Sequence, residues 1–287
     1  MNLYSAPLWL IRPIALFGKH FPKIMFSIRF FKKAKRFINW KHPKSIQEIF
    51  LCQLFSPNTN IKEFSNLADK VEVRKYVKEK IGNQYLTTLY GVYNSPEEID
   101  YSILPDKFVI KTNNGCGNNI IIKDRKQINI QNITHQLKYW LKFPYGDLTG
   151  QIHYSQIKPQ ILIEEYLQQT EKDDVLPYDY KFFCHKGEPL YVLFYEYRSV
   201  NGHITPNMLF DMNWNPIPDA VLRPATNIIE RPKSFDKMKE CVAALSKDFE
   251  FVRVDFYEIN GHPIFGEMTF TPTVIENIHY NFNLFHL

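Results

Sequence analysis

Cysteine is scarce in this 287-residue chain: Cys52, Cys116, Cys184 and Cys241 stand far apart, with no C-x-x-C pair. That spacing argues against a disulfide framework or a cysteine zinc site, and fits free thiols in a reducing, cytoplasmic compartment. The nine histidines form no H-E-x-x-H arrangement, so a zinc hydrolase is not expected. No apolar run reaches the roughly 18–20 residues of a membrane span. The first 20 residues are apolar but are broken by Pro7, Arg12 and Pro13. Charge follows this apolar stretch instead of preceding it, which is the wrong order for a signal peptide. Acidic residues are missing from positions 1–45, which hold ten of the 35 Lys/Arg. The rest of the chain therefore carries 25 basic against 30 acidic side chains, and the overall charge of +5 does not describe its body. A basic folded face for nucleic acid is not expected.

What is present points to a globular protein rich in sheet. Apolar residues make up 45% and charged residues 23%, with 23 Phe and 17 Tyr. The chain is long enough for one large domain or two to three lobes. Residues 24–38 (IMFSIRFFKKAKRFI) place Phe30, Phe31, Ala34, Phe37 and Ile38 on one side of a helix, with Lys32, Lys33, Lys35 and Arg36 on the other. Two readings stay open: a helix lying on an anionic membrane surface, or one packed on the body with a solvated basic face. Ser45-Ile-Gln-Glu48 is a capping box that opens a helix with Ile46, Ile49, Phe50 and Leu54 as its stripe. A second helix is expected from about Asn66 to Ile81, ending at Gly82, with Asp69 and Lys70 in its first turn. Ser95-Pro96-Glu97-Glu98 reads as a third helix start.

Residues 107–124 (KFVIKTNNGCGNNIIIKD) contain two strand-like runs around the loop Thr112–Asn119. Two glycines and four asparagines let such a loop expose backbone N–H groups to phosphate oxygens, and Lys111 could meet a phosphate as a point charge. The loop is neither a Walker loop nor G-x-G-x-x-G, and a plain hairpin loop is the alternative. Residues 128–142 read as an amphipathic helix, followed by a polar loop to about Lys158. ILIEEYL (161–167) reads as a strand ending in two carboxylates, and DYKFFCHKGEPLYVLFYEYR (179–198) as two strands joined at His185–Glu188. Ser234 is expected to cap a helix with the stripe Phe235, Met238, Cys241, Val242 and Leu245.

The most unusual stretch is Phe251–Pro272, FVRVDFYEINGHPIFGEMTFTP. Its apolar residues and Asn260-Gly261 pair predict a hairpin. Arg253 and Asp255 share one strand face, as do Glu267 and Thr269. Buried unpaired carboxylates are costly, so this content points to a bound cation or a basic partner. Register decides whether the carboxylates meet. A plain two-residue turn puts Asp255 and Glu267 on opposite faces; the expected arrangement is a three-residue loop Asn260–His262, or a bulge with the same effect, which puts them opposite each other.

Taken in order, FVIKTNNGCGNNIIIKD, ILIEEYL, DYKFF and FVRVDFYEINGHPIFGEMTFTP resemble the ATP-grasp superfamily, in particular its TupA-like branch of bacterial polysaccharide and teichuronopeptide loci. The resemblance covers roughly residues 40–275. It implies an α/β (α+β) fold in which two lobes grip ATP between antiparallel sheets: a basic segment 1–44, a helical region 45–105, a first lobe 106–165 with the phosphate loop, and a second lobe 166–287. It implies ATP and Mg2+ as cofactors. Lys111 then resembles the lysine on the ATP phosphates, with Lys70 as a further ligand and Gly115 and Gly117 in the loop that covers them. Glu164, Glu165, Tyr166 and Leu167 resemble the hinge that holds adenine, Asp179 a ribose partner, and Lys181 a phosphate partner. Arg253 resembles the arginine at the reacting centre, with Arg198 as a further catalytic candidate. Asp255 and Glu267 resemble magnesium ligands. Thr269 stands where related ligases commonly carry a third ligand, asparagine, and the turn that often follows is altered after Pro272.

The activity so implied is an ATP-dependent carboxylate–amine ligase working through an acyl phosphate in cell-surface polysaccharide (capsule) synthesis. Its substrates would be sugar- or amino-acid-derived acids and amines, and it would be cytoplasmic or peripheral on the inner membrane face. A glycosyltransferase is one rival, although no D-x-D motif is present. A sugar phosphotransferase using the same ATP site and a scaffold with a degenerate site are the others.

Overall fold

A computed structural model describes residues 6–168, 176–195, 207–221 and 228–272. Two compact units emerge, neither continuous in sequence. One comprises residues 1–35, 60–74 and 87–166; the other comprises 36–59, 75–86 and 167–287.

The first unit is built on a four-stranded antiparallel sheet in the order β1-β4-β2-β3. Its strands are β1 (Leu89–Tyr93), β2 (Phe108–Thr112), β3 (Asn119–Ile122) and β4 (Ile161–Glu165). Helices α1 (Leu8–His20), α2 (Pro22–Ala34), α4 (Ile61–Ala68), α6 (Ile130–Lys142) and α7 (Tyr145–Thr149) belong to it. Phe108, Ile110, Ile161 and Ile163 form one buried sheet face, and Ile133 and Leu137 of α6 pack against it. These are the β-branched and aromatic positions that favour a pleated, half-covered surface. Asn129 caps α6, its side chain accepting from Asn132 N.

The second unit holds a five-stranded antiparallel sheet, β7-β6-β5-β8-β9. The strands are β5 (Asp179–His185), β6 (Glu188–Tyr195), β7 (Asn207–Asp211), β8 (Phe251–Ile259) and β9 (His262–Thr269). Helices α3 (Ile46–Leu54), α5 (Val73–Lys80, save its first residues) and α8 (Phe235–Ser246) accompany it. The α8 stripe Phe235, Met238, Cys241, Val242 and Leu245 is fully inward, as its spacing predicts. The serine half of the capping box forms, Ser45 Oγ accepting from Glu48 N, while the Glu48 carboxylate reaches back to the Ser45 hydroxyl and the Lys44 N–H. Glu48 is fully buried, gripped by the Arg36 fork at 2.6 and 3.1 Å and by Asn39 and Lys44 N–H at 2.8 and 2.7 Å. The Gln53 amide exchanges two hydrogen bonds with the Phe251 backbone, fixing α3 to the start of β8.

Several local expectations are corrected. The helix at 24–38 stops at Ala34, because Lys35 turns left-handed (φ 55). The Asn66–Ile81 helix is two helices, α4 and α5, with a break at Asp69–Glu72, and Asp69 supplies the cap of the second by accepting from Val71 and Glu72 N–H. Ser95–Glu98 makes only a short 3-10 turn. The loop after Phe143 contains α7. Ser234 makes no cap bond; its N–H and hydroxyl both donate to Glu258.

The hairpin β8–β9 turns with two residues, Asn260 (φ 54) and Gly261 (φ 75), not three. A bulge performs the register shift instead. Phe256 faces Phe265 but Asp255 faces Glu267, so Gly266 is the extra residue. A Cβ there would sit 3.1 Å from the Asp255 carbonyl oxygen, which explains why the bulge residue is glycine.

Candidate active site

In the first unit, antiparallel pairing of β2 with β4 sets Val109 opposite Glu164, so Lys111 and Glu164 lie on neighbouring rows. The Lys111 amine donates to the Glu164 carboxylate. Arg74 reaches the same carboxylate at 3.8 Å and donates to the Thr87 carbonyl and hydroxyl, while the Thr87 hydroxyl donates to Glu164 at 3.2 Å. Burial pushes the Glu164 carboxyl up, but Lys111, Arg74 and Thr87 outweigh it and hold the group below its ordinary value. Glu164 therefore fixes Lys111 at the end of its strand. Glu165 pairs with Thr88 through both its backbone N–H and its carboxylate. Tyr166 is the last residue of the first unit, and Leu167 opens the last segment of the second. The Lys107 amine lies 5.9 Å from the Tyr166 ring centre.

The loop between β2 and β3 is tied down from outside its hairpin. Asn113 donates to Asp69 at 2.9 Å and to the Lys158 carbonyl at 3.1 Å, and its side-chain oxygen accepts from Gln160 N–H at 2.7 Å. The Lys70 amine donates to the Gly115 carbonyl at 2.6 Å. Gly117 takes a left-handed φ of 78°, which glycine adopts without strain, with open space where a Cβ would project. Asp69, Arg74, Thr87 and Asn113 are members of this network that the sequence reading did not single out. The signal for Asp69 was available: Asp69-Lys-Val-Glu72 has the spacing of a capping box, which marks a helix start and not a helix interior.

In the second unit, three strands align six polar side chains on one sheet face. Lys181 faces Asp255, which faces Glu267; in the next row Arg253 faces Thr269. Arg253 grips Asp255 through Nε and Nη2, both at 2.7 Å, and donates to Glu267 at 2.7 Å and to the Thr269 hydroxyl at 3.0 Å. The Thr269 hydroxyl donates to Glu267 at 3.0 Å. The Lys181 amine bridges Asp255 at 2.6 Å and Asp179 at 2.7 Å. Burial alone would lower the Arg253 guanidinium; Asp255 and Glu267 reverse this and keep it charged. Burial pushes the Asp255 carboxyl up, Arg253 and Lys181 pull it down, and Glu267 and Asp179 add to the upward push. Two cations thus serve three carboxylates, leaving a formal charge of −1 in the cluster. Asp179 and Asp255 are almost fully buried, whereas the Glu267 side chain is 37% exposed and is the member open to solvent.

The chemistry of this donor set suits a hard cation: two carboxylates and a hydroxyl, all oxygen, on facing strands. Among the described residues no group of three or more His, Cys, Asp or Glu is arranged to hold a metal ion. A two-carboxylate site is the usual magnesium arrangement, with phosphate oxygens and water completing the shell. Arg198 and the stretch after Pro272 lie outside the described residues.

The sequence profile described as TupA-like ATPgrasp matches residues 50–283. The chain belongs to the TupA-like ATP-grasp family. No curated protein matches its sequence. Among solved structures, this TupA-like chain is similar to an L-amino acid ligase from Bacillus licheniformis (11% identity, TM-score 0.46, covering 86% of this chain and 53% of that one). It is also similar to a D-alanine–D-alanine ligase from Bacillus anthracis complexed with ATP (15%, 0.44, 72% and 56%). A third is a phosphoribosylamine–glycine ligase from Thermotoga maritima (13%, 0.43, 76% and 52%). The chain spans just over half the length of each.

Proposed function

We propose that this TupA-like ATP-grasp chain is an ATP-dependent carboxylate–amine ligase. The observation that carries the reading is the bulge-set register that places Asp255 opposite Glu267, with Arg253 and Lys181 on the same face. In this reading Lys111 and Lys70 hold ATP phosphates under the Gly115–Gly117 loop. The backbone at Glu165 and Leu167 meets adenine, beside Tyr166. Asp255, Glu267 and Thr269 would hold Mg2+, which supplies charge neutralisation on the phosphates. Asp179 is nearly fully buried and paired with Lys181, so we assign it to holding that lysine ahead of any ribose contact.

The reaction begins with a substrate carboxylate oxygen attacking the γ-phosphorus. The new O–P bond forms as the β,γ-bridge bond breaks, and ADP leaves. An amine nitrogen then attacks the acyl carbon, phosphate departs, and the nitrogen loses a proton. Arg253 and Lys181 spread the charge of the phosphoryl group, and no covalent enzyme intermediate is needed. The substrates we propose are sugar- or amino-acid-derived, for cell-surface polysaccharide assembly in the cytoplasm.

The test is ADP release from ATP and Mg2+ in the presence of panels of acids and amines, with the product identified by mass spectrometry. An amide supports the proposal. A phosphate ester makes the protein a phosphotransferase, and release of a nucleoside diphosphate from a sugar donor makes it a glycosyltransferase; either outcome overturns the ligase reading.

A further inference from the structure

Helices α1 and α2 follow each other with only Phe21 between them, both pack on α7, and the side turned away from it is apolar. Among the described residues fourteen large apolar side chains are exposed, and nine of them fall between Trp9 and Phe31. This is a concentrated patch, not the scatter normal on a protein surface. Helical spacing explains it. On α1, Ile11, Ala15 and Gly18 recur at i, i+4 and i+7 and are buried. Trp9 and Leu16, seven apart, lie across the helix from them and are 71% and 58% exposed. On α2, Met25, Phe26 and Phe30 are buried, while Ile24, Ile28 and Phe31 recur at i, i+4 and i+7 and are exposed. The inner faces are anchored within their own unit: Gly18 packs on the Asp147 carbonyl, and Tyr139 donates to the Ala6 carbonyl at 2.8 Å. The outer faces are therefore not loose helices awaiting a core.

The charge on these helices has one sign. Arg12 and Lys19 on α1, with Lys23, Lys32 and Lys33 on α2, are exposed, and residues 6–35 contain no Asp or Glu. An apolar ridge whose own charges are all cationic is complementary to an anionic bilayer, whose phosphates meet the lysines while its acyl boundary takes Trp9, Leu16 and Ile28. Each helix has 13 residues, about 20 Å long at 1.5 Å per residue. That is short of the ~30 Å hydrocarbon core, and among the described residues no helix is long and apolar enough to cross it.

We propose that the α1–α2 helix pair docks this protein in the plane of an anionic phospholipid surface, with its apolar side down. The surface is larger than the 24–38 helix the sequence suggests, because α1 contributes half of it. The proposal stands apart from the ligase reading, since neither helix carries a residue assigned to the nucleotide.

Vesicle co-sedimentation of the full chain tests it. The chain should pellet with vesicles of phosphatidylcholine and phosphatidylserine at about 70:30, and at least ~10-fold less with phosphatidylcholine alone. High salt should release it. The double variant Lys32→Gln/Lys33→Gln should weaken binding on the order of 25-fold, about fivefold per cation. Trp9→Ser/Leu16→Ser should weaken it on phosphatidylserine vesicles with an unchanged melting temperature, because both side chains face solvent. Equal binding to the two lipids, or none to either, overturns the proposal. So does a concentration-dependent dimer that Trp9→Ser/Leu16→Ser dissolves, which would mean that a second copy covers the ridge.

Discussion

Arg253→Gln is the most informative single change in the second unit. Arg253 is 7% exposed and makes four hydrogen bonds, two to Asp255 and one each to Glu267 and Thr269. Removing its charge takes the five-membered cluster from −1 to −2 and leaves Asp255 with Lys181 as its remaining cation there. Breaking a buried pair by removing one partner costs about 3–5 kcal/mol. The Glu267 end is 37% exposed and screened by water, so the lower bound, about 3 kcal/mol, is the better figure. For a chain of this size that is roughly 6–12 °C in apparent Tm. The sharper expectation concerns magnesium. If Asp255 and Glu267 are its ligands, Mg2+ replaces the lost positive charge and should raise the Tm of the variant more than that of the parent. The assay is a thermal melt by circular dichroism across a Mg2+ series, with Ca2+-free NaCl of equal ionic strength as control. A variant within about 1 kcal/mol of the parent would refute the buried-cluster reasoning. A large loss that Mg2+ does nothing to offset would refute the metal assignment alone.

Other expectations follow from the same geometry. Inserting one residue between Gly266 and Glu267 keeps the bulge but shifts Glu267 by one position, opposite Val254 and away from the Asp255 face, so Mg2+-dependent ADP release should vanish; activity in the insertion variant would show that the register is irrelevant. Glu164→Gln should cost about 2–4 kcal/mol at neutral pH, since Lys111 and Arg74 lose their shared partner. The folded Glu164 carboxyl lies below its ordinary value of 4.5, so its contribution is present above that pH and lost as pH falls through the lowered folded value. Urea melts between pH 7 and 3 should therefore fall less steeply for Glu164→Gln than for the parent. Asp69→Ala should lose about 1 kcal/mol of helix cap and release Asn113, raising the KM for ATP, whereas Asp69→Asn should keep the cap; steady-state kinetics on both separates the effects.

Much of the second unit was legible in the sequence because its signals are local. The α8 stripe and the Ser45 cap of α3 appear as their period and spacing predict. The hairpin faces were legible too, and of the two means expected, a three-residue turn or a bulge, the bulge is the one that forms. Asn260-Gly261 does form the short turn, and the correction comes from Gly266, whose only sequence mark is a glycine inside a strand pattern. The first unit was harder. Arg74 and Glu164 are 90 positions apart, and only the sheet and the α4–α5 break bring them together; no local period encodes that meeting. Lys111 could be read as a cation at a strand end, but not as one held by Glu164. On α1, Pro13 inside the helix hid an element whose remaining residues carry a clear buried stripe.

The most direct test of the account is calorimetric titration of the full chain with a non-hydrolysable ATP analogue, with and without Mg2+. Binding should depend on Mg2+ and weaken at least about tenfold, ~1.4 kcal/mol, in Lys111→Ala and in Glu267→Gln. A UDP-sugar should give no heat. Binding of the UDP-sugar without binding of the ATP analogue, or ATP-analogue binding unchanged in both variants, would contradict it.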